Sequence, residues 1–406
     1  MKQIHPIRLL SVKTINILRN TPKFILLTTS ILLLITIIHP LISSSSENVK
    51  ISWEDLKLPG CDIYRGEWVW NPDASYYTNN SCSFIHEHQN CMKYGRTDTD
   101  FLKWRWKPND CELPVFDPVQ FLELLVGKSM AFVGDSVGRN QMQSLMCLLS
   151  KVENPVDVST TNEWHFQRWK YTNYNFTIAT FWTPFLVKAE QQEGKGPTNN
   201  GLFDLYLDEY DVKWTTKIHE FDYIILSAGH WFYRPQMYYE NGNLVGCFSC
   251  LRNDVKDLAM SYGYGKAFQN AFKAINSSPN FTGTTYLRTF APSHFENGTW
   301  DSGANCVKKK PFKSSETQID ADGLSLYNAQ LKEFRVAKEE GKKTGKKFRL
   351  LDTTQAMLLR PDGHPSTNGH WPQENVTLYN DCVHWCLPGP IDSWSDFLLE
   401  MLKMDE

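Results

Sequence analysis

The sequence carries no excess of basic residues. It has 42 lysines and arginines against 45 aspartates and glutamates, and its formal net charge is −3. Proteins that bind nucleic acid usually have a basic domain or stripe, so this balance argues against a nucleic-acid partner. Internal repeats are lacking too. The 406 residues are enough for one large domain or two modest ones with a substantial core.

A second Cys-x-x-Cys motif is also missing. Cys247 and Cys250 form one such pair, and a structural zinc site commonly combines two. The sequence therefore predicts no metal site. Half of a zinc site and a redox pair stay open as alternatives at these two cysteines. A structural disulfide is favoured, because the N-terminal sequence directs the chain to an oxidising compartment.

A long apolar run lies near the N-terminus, over 24–38 and extending to 42, and five basic residues but no acidic one precede it. A membrane helix needs about 20 apolar residues, and about 17 at the least, while a positive flank stays cytoplasmic. The pattern predicts a single-pass type II membrane protein with a lumenal catalytic part. Its parts are a cytoplasmic tail over 1–23, a transmembrane signal anchor over 24–42 and a short stem over 43–57.

A cleaved signal peptide is the alternative, with an apolar stretch of about 7 to 15 residues. The anchor is favoured because the basic segment is long and no clear small-x-small cleavage site follows His39 and Pro40. Either way the chain enters the secretory pathway, where glycans and disulfides are expected. Sequons begin at Asn79, Asn175, Asn276, Asn280, Asn297 and Asn375. The cysteines are Cys61, Cys82, Cys91, Cys111, Cys147, Cys247, Cys250, Cys306, Cys382 and Cys386.

The lumenal chain divides into two parts. Residues 58–117 are rich in cysteine and tryptophan, which predicts a small, loop-rich module tied by disulfides. Over 118–406 short apolar runs alternate with helical patterns, which favours an α/β layered domain with a mostly parallel sheet. Predicted strands cover 129–133, 221–226, 284–290 and 348–351. Predicted helices cover 139–149, 254–275, 324–340 and 391–403, and 191–200 is predicted to be a surface loop.

The strongest local signal is Gly134-Asp135-Ser136, directly after the first of these strands. In open α/β sheets, ligands bind at the carboxyl ends of the strands. A serine at such a turn lies near backbone N–H groups that can stabilise an oxyanion. The tripeptide alone is equally consistent with a glycine turn in which Asp or Ser caps the next helix.

Asp381 and His384 are candidates for the base that this serine needs, although an Asp-x-x-His motif alone is equally typical of a surface histidine in a loop. A serine hydroxyl is a poor nucleophile until a base takes its proton, and an imidazole does this best when a carboxylate fixes its tautomer. The spacing of three residues lets both side chains point the same way from one turn. The flanking cysteines Cys382 and Cys386 would staple that loop.

Further motifs accompany these two along the chain. They are Cys61-Asp62 with Gly66-Glu67-Trp68-Val69, Asn90-Cys91 with Gly95-Arg96, Lys103-Trp104-Arg105-Trp106, Arg139-Asn140-Gln141, Gly229-His230-Trp231, His294-Phe295, Asp362-Gly363-His364-Pro365-Ser366 and Asp381 to Gly389. In this order they resemble the plant trichome birefringence-like family of polysaccharide O-acetyltransferases, which is related to serine esterases of the GDSL/SGNH type. The resemblance covers most of the lumenal chain.

The resemblance implies an SGNH/GDSL-like α/β/α domain with Ser136 as nucleophile, His384 as general base and Asp381 as its orienting partner. An acetyl group would pass through an ester on Ser136 to a sugar hydroxyl. Asp362 and His364 form a competing acid–histidine pair, which the family pattern ranks second, as residues that shape the site.

The resemblance also implies a set of oxyanion and substrate-binding residues, with the backbone N–H of Ser136 as first donor. The set is Gly134, Asp135, Arg139, Asn140, Gly229 and His230. Arg139 has a structural alternative, as an anchor of the turn. Many relatives carry Asn where Ser227 stands here, which leaves Gly229 N–H and His230 as candidates for the remaining donors.

Disulfides Cys61–Cys111 and Cys82–Cys147 are implied as well, tying the small module to the catalytic domain, while pairing among the other six cysteines stays open. The resemblance implies a Golgi membrane location and no bound cofactor. An acetyl donor, acetyl-CoA or another lumenal carrier, would be a co-substrate. Golgi proteins that supply acetyl donors or synthesise glycans are implied partners.

The acceptor is indicated only by similarity. The segment Gly246 to Cys250, with Ser227 to His230, is similar to the branch that includes xyloglucan and mannan acetyltransferases. Xyloglucan, at its side-chain galactose, is the expected acceptor, with mannan and xylan as alternatives. Two other functions stay open: an acetyl esterase, in which water takes the acetyl group, and a non-catalytic wall-polysaccharide binding protein that uses the Trp-rich surface.

Overall fold

The computed structural model describes residues 61–160, 165–192, 201–371 and 379–405. The predicted tail, signal anchor and stem lie outside the described residues, as do the sequon at Asn375 and most of the predicted loop 191–200. None of the helices in these ranges combines the length and the apolar composition of a membrane span.

The described fold alternates short strands with helices. The strands are β1 (Gly66–Trp70), β2 (Trp104–Pro108), β3 (Ser129–Gly134), β4 (Val156–Asp157), β5 (Phe166–Tyr171), β6 (Phe176–Trp182), β7 (Val187–Gln191), β8 (Phe203–Tyr210), β9 (Tyr223–Ser227), β10 (Gln236–Glu240), β11 (Asn243–Phe248), β12 (Thr284–Arg288) and β13 (Lys347–Leu351). The α-helices are α1 (Pro118–Leu124), α2 (Ser136–Leu149), α3 (Val212–Thr215), α4 (Met260–Ser277), α5 (Ala321–Thr344), α6 (Thr354–Leu358) and α7 (Ser393–Asp405).

A seven-stranded sheet in the order β13-β12-β9-β3-β6-β5-β4 carries the fold. The strands from β13 to β6 are parallel, whereas β5 and β4 add to the edge antiparallel. All four predicted strands lie in this sheet, which confirms the α/β domain. The carboxyl ends of its parallel strands meet at one edge.

Helices cover both faces of the large sheet. Phe132 of β3 and Ile225 of β9 share one buried cluster with Leu145 of α2 and Leu398 of α7. On β13, Phe348 is three residues from Leu351 of that cluster and points to the opposite face. There the Phe272 ring of α4 packs edge-on against Phe348, with 5.7 Å between ring centroids.

The helix predicted over 254–275 begins instead at Met260. The residues before it pair with β11: the backbone N–H of Cys247 donates to the carbonyl of Lys256 (2.9 Å), and the N–H of Leu258 donates to the carbonyl of Cys247 (2.8 Å). Backbone groups that form these bonds are not available for a first helical turn. The helix therefore starts only after this pairing ends.

A second sheet, of order β11-β10-β8-β7, is a feature that sequence analysis does not predict. Its strand β8 buries Phe203, Leu205 and Leu207 at alternate positions. Strand β7 ends at Gln191, so the first residue of the predicted loop 191–200 is a strand residue.

The Cys-rich module is loop-rich, with one antiparallel pair of strands, β1 and β2. Cys61–Cys111 closes it and Cys82–Cys147 ties it to α2, which are the two pairings that the resemblance implies. The other disulfides are Cys91–Cys386, Cys247–Cys250 and Cys306–Cys382. Cys382 and Cys386 thus staple the segment around His384 to two distant parts of the chain.

Candidate active site

Ser136 is the first residue of α2 and follows β3 after a single residue. That residue, Asp135, caps the helix: its Oδ1 accepts the backbone N–H of Val137 (3.0 Å) and of Gly138 (3.4 Å). The capping that the tripeptide alone suggested is therefore present. It is Asp135 that caps, and the serine hydroxyl is left for another partner.

Gly134 is the glycine that this turn requires. Its φ is 154°, and an added Cβ atom would lie 1.5 Å from the carbonyl oxygen of Ser227 on β9. Gly138, in the first turn of α2, is also close to Ser227, because a Cβ there would lie 2.7 Å from the Ser227 Oγ. The two glycines thus let the nucleophile turn pack directly on the end of β9.

Ser136, His384 and Asp381 form a continuous hydrogen-bonded chain. The Ser136 Oγ lies 2.6 Å from the His384 Nε2, and the His384 Nδ1 lies 2.8 Å from the Asp381 Oδ2. The other carboxylate oxygen, Oδ1, accepts the backbone N–H of Val383 (3.1 Å) and of His384 (2.9 Å). The carboxylate therefore holds the proton on Nδ1, and Nε2 is left to accept the hydroxyl proton.

The pKa values of His384 and Asp381 are those that a general base and its carboxylate partner require. Burial acts to lower the pKa of His384, but the Asp381 carboxylate and its hydrogen bond outweigh that effect, and the net pKa is raised. Burial acts to raise the pKa of Asp381, yet His384 and the two backbone N–H groups hold it well below the usual range. Asp381 therefore stays ionised and stabilises the imidazolium that forms when Ser136 gives up its proton.

Asn140 connects the nucleophile helix to the segment that carries His384. It is fully buried, its Oδ1 accepts the backbone N–H of Trp385 (2.8 Å), and its Nδ2 donates to the Trp385 carbonyl (3.3 Å). The family resemblance implies that Asn140 is one of the oxyanion and substrate-binding residues. The structure instead shows its amide occupied with the backbone next to His384, which is a positioning contact.

Asp362 and His364, the competing pair, do not face each other as acid and base. The Asp362 carboxylate makes a buried ion pair with Arg360, with N–O distances of 2.8 and 3.0 Å. The His364 Nδ1 lies 2.7 Å from the carbonyl oxygen of His384, and its ring stacks on Trp385 with 4.1 Å between centroids. This pair shapes the segment around His384, as its second rank implies.

His294 extends this support. Its Nδ1 lies 2.7 Å from the His364 Nε2, and its Nε2 lies 3.0 Å from the carbonyl oxygen of Leu358. Because a carbonyl can only accept, all three hydrogen bonds of this chain form together only when the two rings share one extra proton. Burial lowers the pKa of both histidines, that of His294 to about 4, so near pH 7 the pair is neutral and only two of the three contacts are hydrogen bonds at any one time.

The Cys-rich module braces the same segment from outside. The Arg96 guanidinium donates to the carbonyl of Asp362 (2.6 Å) and to that of His364 (3.0 Å). The backbone N–H of Leu387 donates to the carbonyl of Gln89 (2.8 Å). The module is therefore part of the framework that fixes His384, a role that sequence analysis does not assign to Arg96.

The other predicted oxyanion residues divide into two groups. Arg139 stacks over Trp182 at 5.3 Å and lies outside the cavity at the nucleophile, which fits the alternative role of a turn anchor. His230 lines that cavity, and its buried Nε2 has no hydrogen-bond partner among the described residues. Burial, with repulsion from His384, lowers the pKa of His230 to about 3. A neutral imidazole is thus available as a donor there.

Gly229 lies at the turn before His230. An added Cβ would meet the ring of Phe290 at 3.2 Å, so the backbone runs close to the residues that follow β12. Asp135 does not accept the N–H of Ser136. The backbone N–H groups of Ser136, after β3, and of Gly229, after β9, therefore stay candidates for oxyanion donors.

A cavity of about 510 Å³ opens at Ser136 and His384. Aromatic and charged side chains dominate its walls. The aromatic ones are Trp231, Tyr233, Phe295, Trp300 and Tyr379, and the charged ones besides Asp381 are Arg234, Asp320 and Asp322. A smaller cavity of about 210 Å³, between the Cys-rich module and residues 388–396, contains none of the three triad residues.

Five of the six predicted glycosylation sites lie in the described ranges. Within the described ranges, no group of three or more His, Cys, Asp or Glu side chains is placed to hold a metal ion. Asn175, Asn280 and Asn297 are exposed, and Asn79 is half-buried. Asn276 lies on α4 with its Nδ2 donating to the carbonyl of Ala337 (3.1 Å).

Two family models match this chain. The first is described as a GDSL/SGNH-like acyl-esterase family found in Pmr5 and Cas1p and matches residues 113–401. The second is described as a PMR5 N-terminal domain and matches residues 59–112. The shared region therefore includes Ser136, Asp381 and His384 together with the Cys-rich module.

Similar proteins come from two plants. Protein trichome birefringence-like 19 of Arabidopsis thaliana is 57% identical over 396 residues, covering 93% of this chain and 92% of the relative. Xyloglucan O-acetyltransferase 4 of Populus trichocarpa is 44% identical over 344 residues, covering 84% and 81%. Xyloglucan O-acetyltransferase 2 of Arabidopsis thaliana is 40% identical over 367 residues, covering 90% and 88%.

Proposed function

The chain belongs to the GDSL/SGNH-like acyl-esterase family found in Pmr5 and Cas1p, within its trichome birefringence-like members, and we propose that this O-acetyltransferase acetylates a cell-wall hemicellulose through an ester on Ser136. The observation that carries the mechanism is the chain from the Ser136 Oγ through His384 to Asp381, with distances of 2.6 and 2.8 Å. Its order of nucleophile, base and orienting carboxylate is that of serine acyl transfer.

The first half-reaction transfers the acetyl group from the donor to Ser136. The His384 Nε2 takes the proton of Ser136 as the Oγ attacks the acetyl carbonyl carbon of the donor. The oxyanion that forms is stabilised by the Ser136 N–H and by neutral His230. The intermediate then collapses: the bond from the acetyl carbon to the donor's leaving group breaks, and that group takes the proton from His384. The products are acetyl-Ser136 and the free carrier.

The second half-reaction transfers the acetyl group from Ser136 to a sugar hydroxyl. A sugar hydroxyl gives its proton to the His384 Nε2 and attacks the acetyl carbon. Collapse of the second intermediate breaks the bond to the Ser136 Oγ, which recovers its proton from His384. The donor, acetyl-CoA or another acetyl carrier, is a co-substrate, and no bound cofactor is required by these steps. If water attacks instead of a sugar, the same residues perform an esterase reaction.

Xyloglucan is the proposed acceptor, at its side-chain galactose. Two relatives at 44% and 40% identity are named xyloglucan O-acetyltransferases, and that likeness is the support for this choice. Mannan and xylan are the acceptors to compare with it. The proposed location is the Golgi membrane with a lumenal active site. The apolar segment 24–42 and the five disulfides support it, since disulfides persist in oxidising compartments.

An acceptor panel tests the proposal. The full-length protein, purified in a mild detergent, is incubated with acetyl-CoA, or with an activated acetyl ester as second donor, and with oligosaccharides of xyloglucan, mannan and xylan. Mass spectra then report added acetyl groups. We expect a gain on xyloglucan oligosaccharide that is absent with Ser136→Ala. Release of acetate from acetylated oligosaccharides, with no gain on any acceptor, would make the protein an esterase.

A further inference from the structure

We propose that Trp300 and Tyr379 form a stacking surface for an electrically neutral sugar chain, at the wall of the active-site cavity. This inference rests on the proposed function and adds where the acceptor lies and what charge it has. Both side chains line the cavity that opens at Ser136. They are 48% and 55% exposed, although large aromatic side chains are usually buried.

The rings of Trp300 and Tyr379 are in contact with each other. Their centroids are 5.6 Å apart and their planes are inclined by 61°, so the edge of one ring packs against one face of the other, and each ring keeps at least one face clear of its partner. An open aromatic face on a cavity wall is a surface on which the apolar face of a sugar ring can pack. Trp231 provides a further aromatic side chain in the same cavity.

The stacking surface is fixed relative to the catalytic base. Cys306, a few residues after Trp300, is bonded to Cys382, the neighbour of Asp381. The Asn380 Nδ2 donates to the carbonyl of Ala304 (2.8 Å). A sugar stacked on this surface would therefore keep a defined position with respect to Asp381 and His384, which is what positioning of one hydroxyl requires.

The charges of the cavity favour a neutral acceptor. Its walls carry Asp320 and Asp322 in addition to the ionised Asp381. The cation Arg234 also lines the cavity, and its guanidinium lies over the Trp231 ring at 4.3 Å. A chain of uronic acids would bring further carboxylates toward an acidic wall, which like-charge repulsion opposes. The hydroxyls of a neutral sugar can instead donate to these carboxylates.

A binding measurement tests this inference without any chemistry. In the full-length Ser136→Ala protein, which cannot turn over, isothermal calorimetry measures the Kd of a neutral xyloglucan oligosaccharide. We expect Trp300→Ala and Tyr379→Ala each to raise this Kd by about tenfold, and Trp300→Phe to change it by less than about threefold. Asn297 begins a sequon three residues before Trp300, so the measurement is repeated after N-linked glycans are removed.

Trp70→Ala is the matched control. Trp70 is 49% exposed, has one edge-on aromatic contact at 5.2 Å to Trp104, and lies outside this cavity. Its loss should leave the Kd unchanged. An oligomer of galacturonic acid of equal length should bind more weakly than the neutral chain at low salt.

Three results would overturn the inference: no binding of the neutral chain, equal losses with Trp70→Ala and Trp300→Ala, or tighter binding of the galacturonic acid oligomer. The proposed function fails separately, through absence of acetyl transfer by the protein with Ser136 intact. Transfer with unchanged affinity in Trp300→Ala would refute the stacking surface alone, and affinity that depends on Trp300 without transfer would refute the activity alone.

Discussion

Asn140 forms hydrogen bonds with both backbone groups of Trp385: its Oδ1 accepts the Trp385 N–H (2.8 Å), and its Nδ2 donates to the Trp385 carbonyl (3.3 Å). Asn140 is one helical turn beyond Ser136 on α2, and Trp385 is the neighbour of His384. A single helix therefore carries the nucleophile and fixes the segment that carries its base. This contact and the disulfides of Cys382 and Cys386 together hold the segment that places His384 beside Ser136.

Asn140→Ala should impair both stability and activity. It leaves a buried N–H and a buried carbonyl of Trp385 without partners, which costs about 2 kcal/mol or more in the free energy of unfolding. We expect kcat for acetyl transfer to fall by at least tenfold, because His384 loses its fixed position. Thermal unfolding and steady-state kinetics measure the two effects.

Gln143→Ala is the control for this change, since Gln143 lies on the same helix and its Oε1 has no partner among the described residues. An Asn140→Ala protein with wild-type kcat would contradict the positioning role.

Asp381→Asn should lower kcat by about 10⁴-fold, the size known for the same change in a serine protease, and should shift the pH profile. In the wild type, kcat/KM should fall as pH drops through a pKa above the ordinary 6.5 of histidine, because only neutral His384 accepts the proton and its pKa is raised. Without the carboxylate, its raising effect on the pKa of His384 is lost while the lowering effect of burial remains, and the acidic limb should move to lower pH. A limb that does not move in this variant would show that Asp381 does not act on His384.

Asp396→Asn should reduce the fall in the free energy of unfolding that occurs as the pH rises to neutral. Burial raises the pKa of Asp396 to about 7, against about 3.9 in the unfolded chain. The folded state then holds one more proton between about pH 4 and 7, so the free energy of unfolding falls as pH rises through that window, by up to about 4 kcal/mol. The asparagine variant can still accept from Tyr76 and from the Phe116 N–H. Denaturant unfolding at pH 5 and pH 7 should show a smaller drop in the variant; equal drops would rule out a raised pKa at Asp396.

Asn276 should carry little or no glycan despite its sequon. It is half-buried on α4, and its Nδ2 donates to the carbonyl of Ala337 on α5. A sugar on that nitrogen would have to lie between two packed helices. The exposed Asn175 and Asn297 offer the contrast and should be occupied. Peptide mass spectrometry after enzymatic deglycosylation reports the occupancy of each site, and high occupancy at Asn276 would mean that the two helices pack differently there.

Strands and contacts between residues close in sequence could be predicted from the sequence pattern alone. The run 129–133 is apolar and bounded by glycines, and it forms β3, because such a run is stable only when buried. The spacing of Asp381 and His384 predicts their contact, because three residues span one turn. Strand β8 carries a local signal of the same kind, since Phe203, Leu205 and Leu207 are apolar at alternate positions and buried.

Long-range contacts are what the sequence leaves undetermined. Nothing in the spacing pairs Cys91 with Cys386, since the two are 295 residues apart. The partner of Asn140 lies 245 residues away, so its residue type predicted a polar role but not which backbone it would hold. Trp300 and Tyr379 become neighbours only through folding. The 14 tryptophans and 17 tyrosines hint at a sugar-binding groove without saying which of them line it.

Detection of the acetyl ester on Ser136 tests the proposed mechanism most directly. The full-length protein is mixed with the acetyl donor in the absence of acceptor, quenched in acid and digested, and the peptide that contains Ser136 is weighed. If Ser136 carries the acetyl group, this peptide should gain one acetyl group, which is lost when acceptor oligosaccharide is supplied before the quench and is absent in Ser136→Ala. An unmodified peptide in a protein that still acetylates the oligosaccharide would contradict the mechanism, because the acetyl group would then pass from donor to sugar without residing on Ser136.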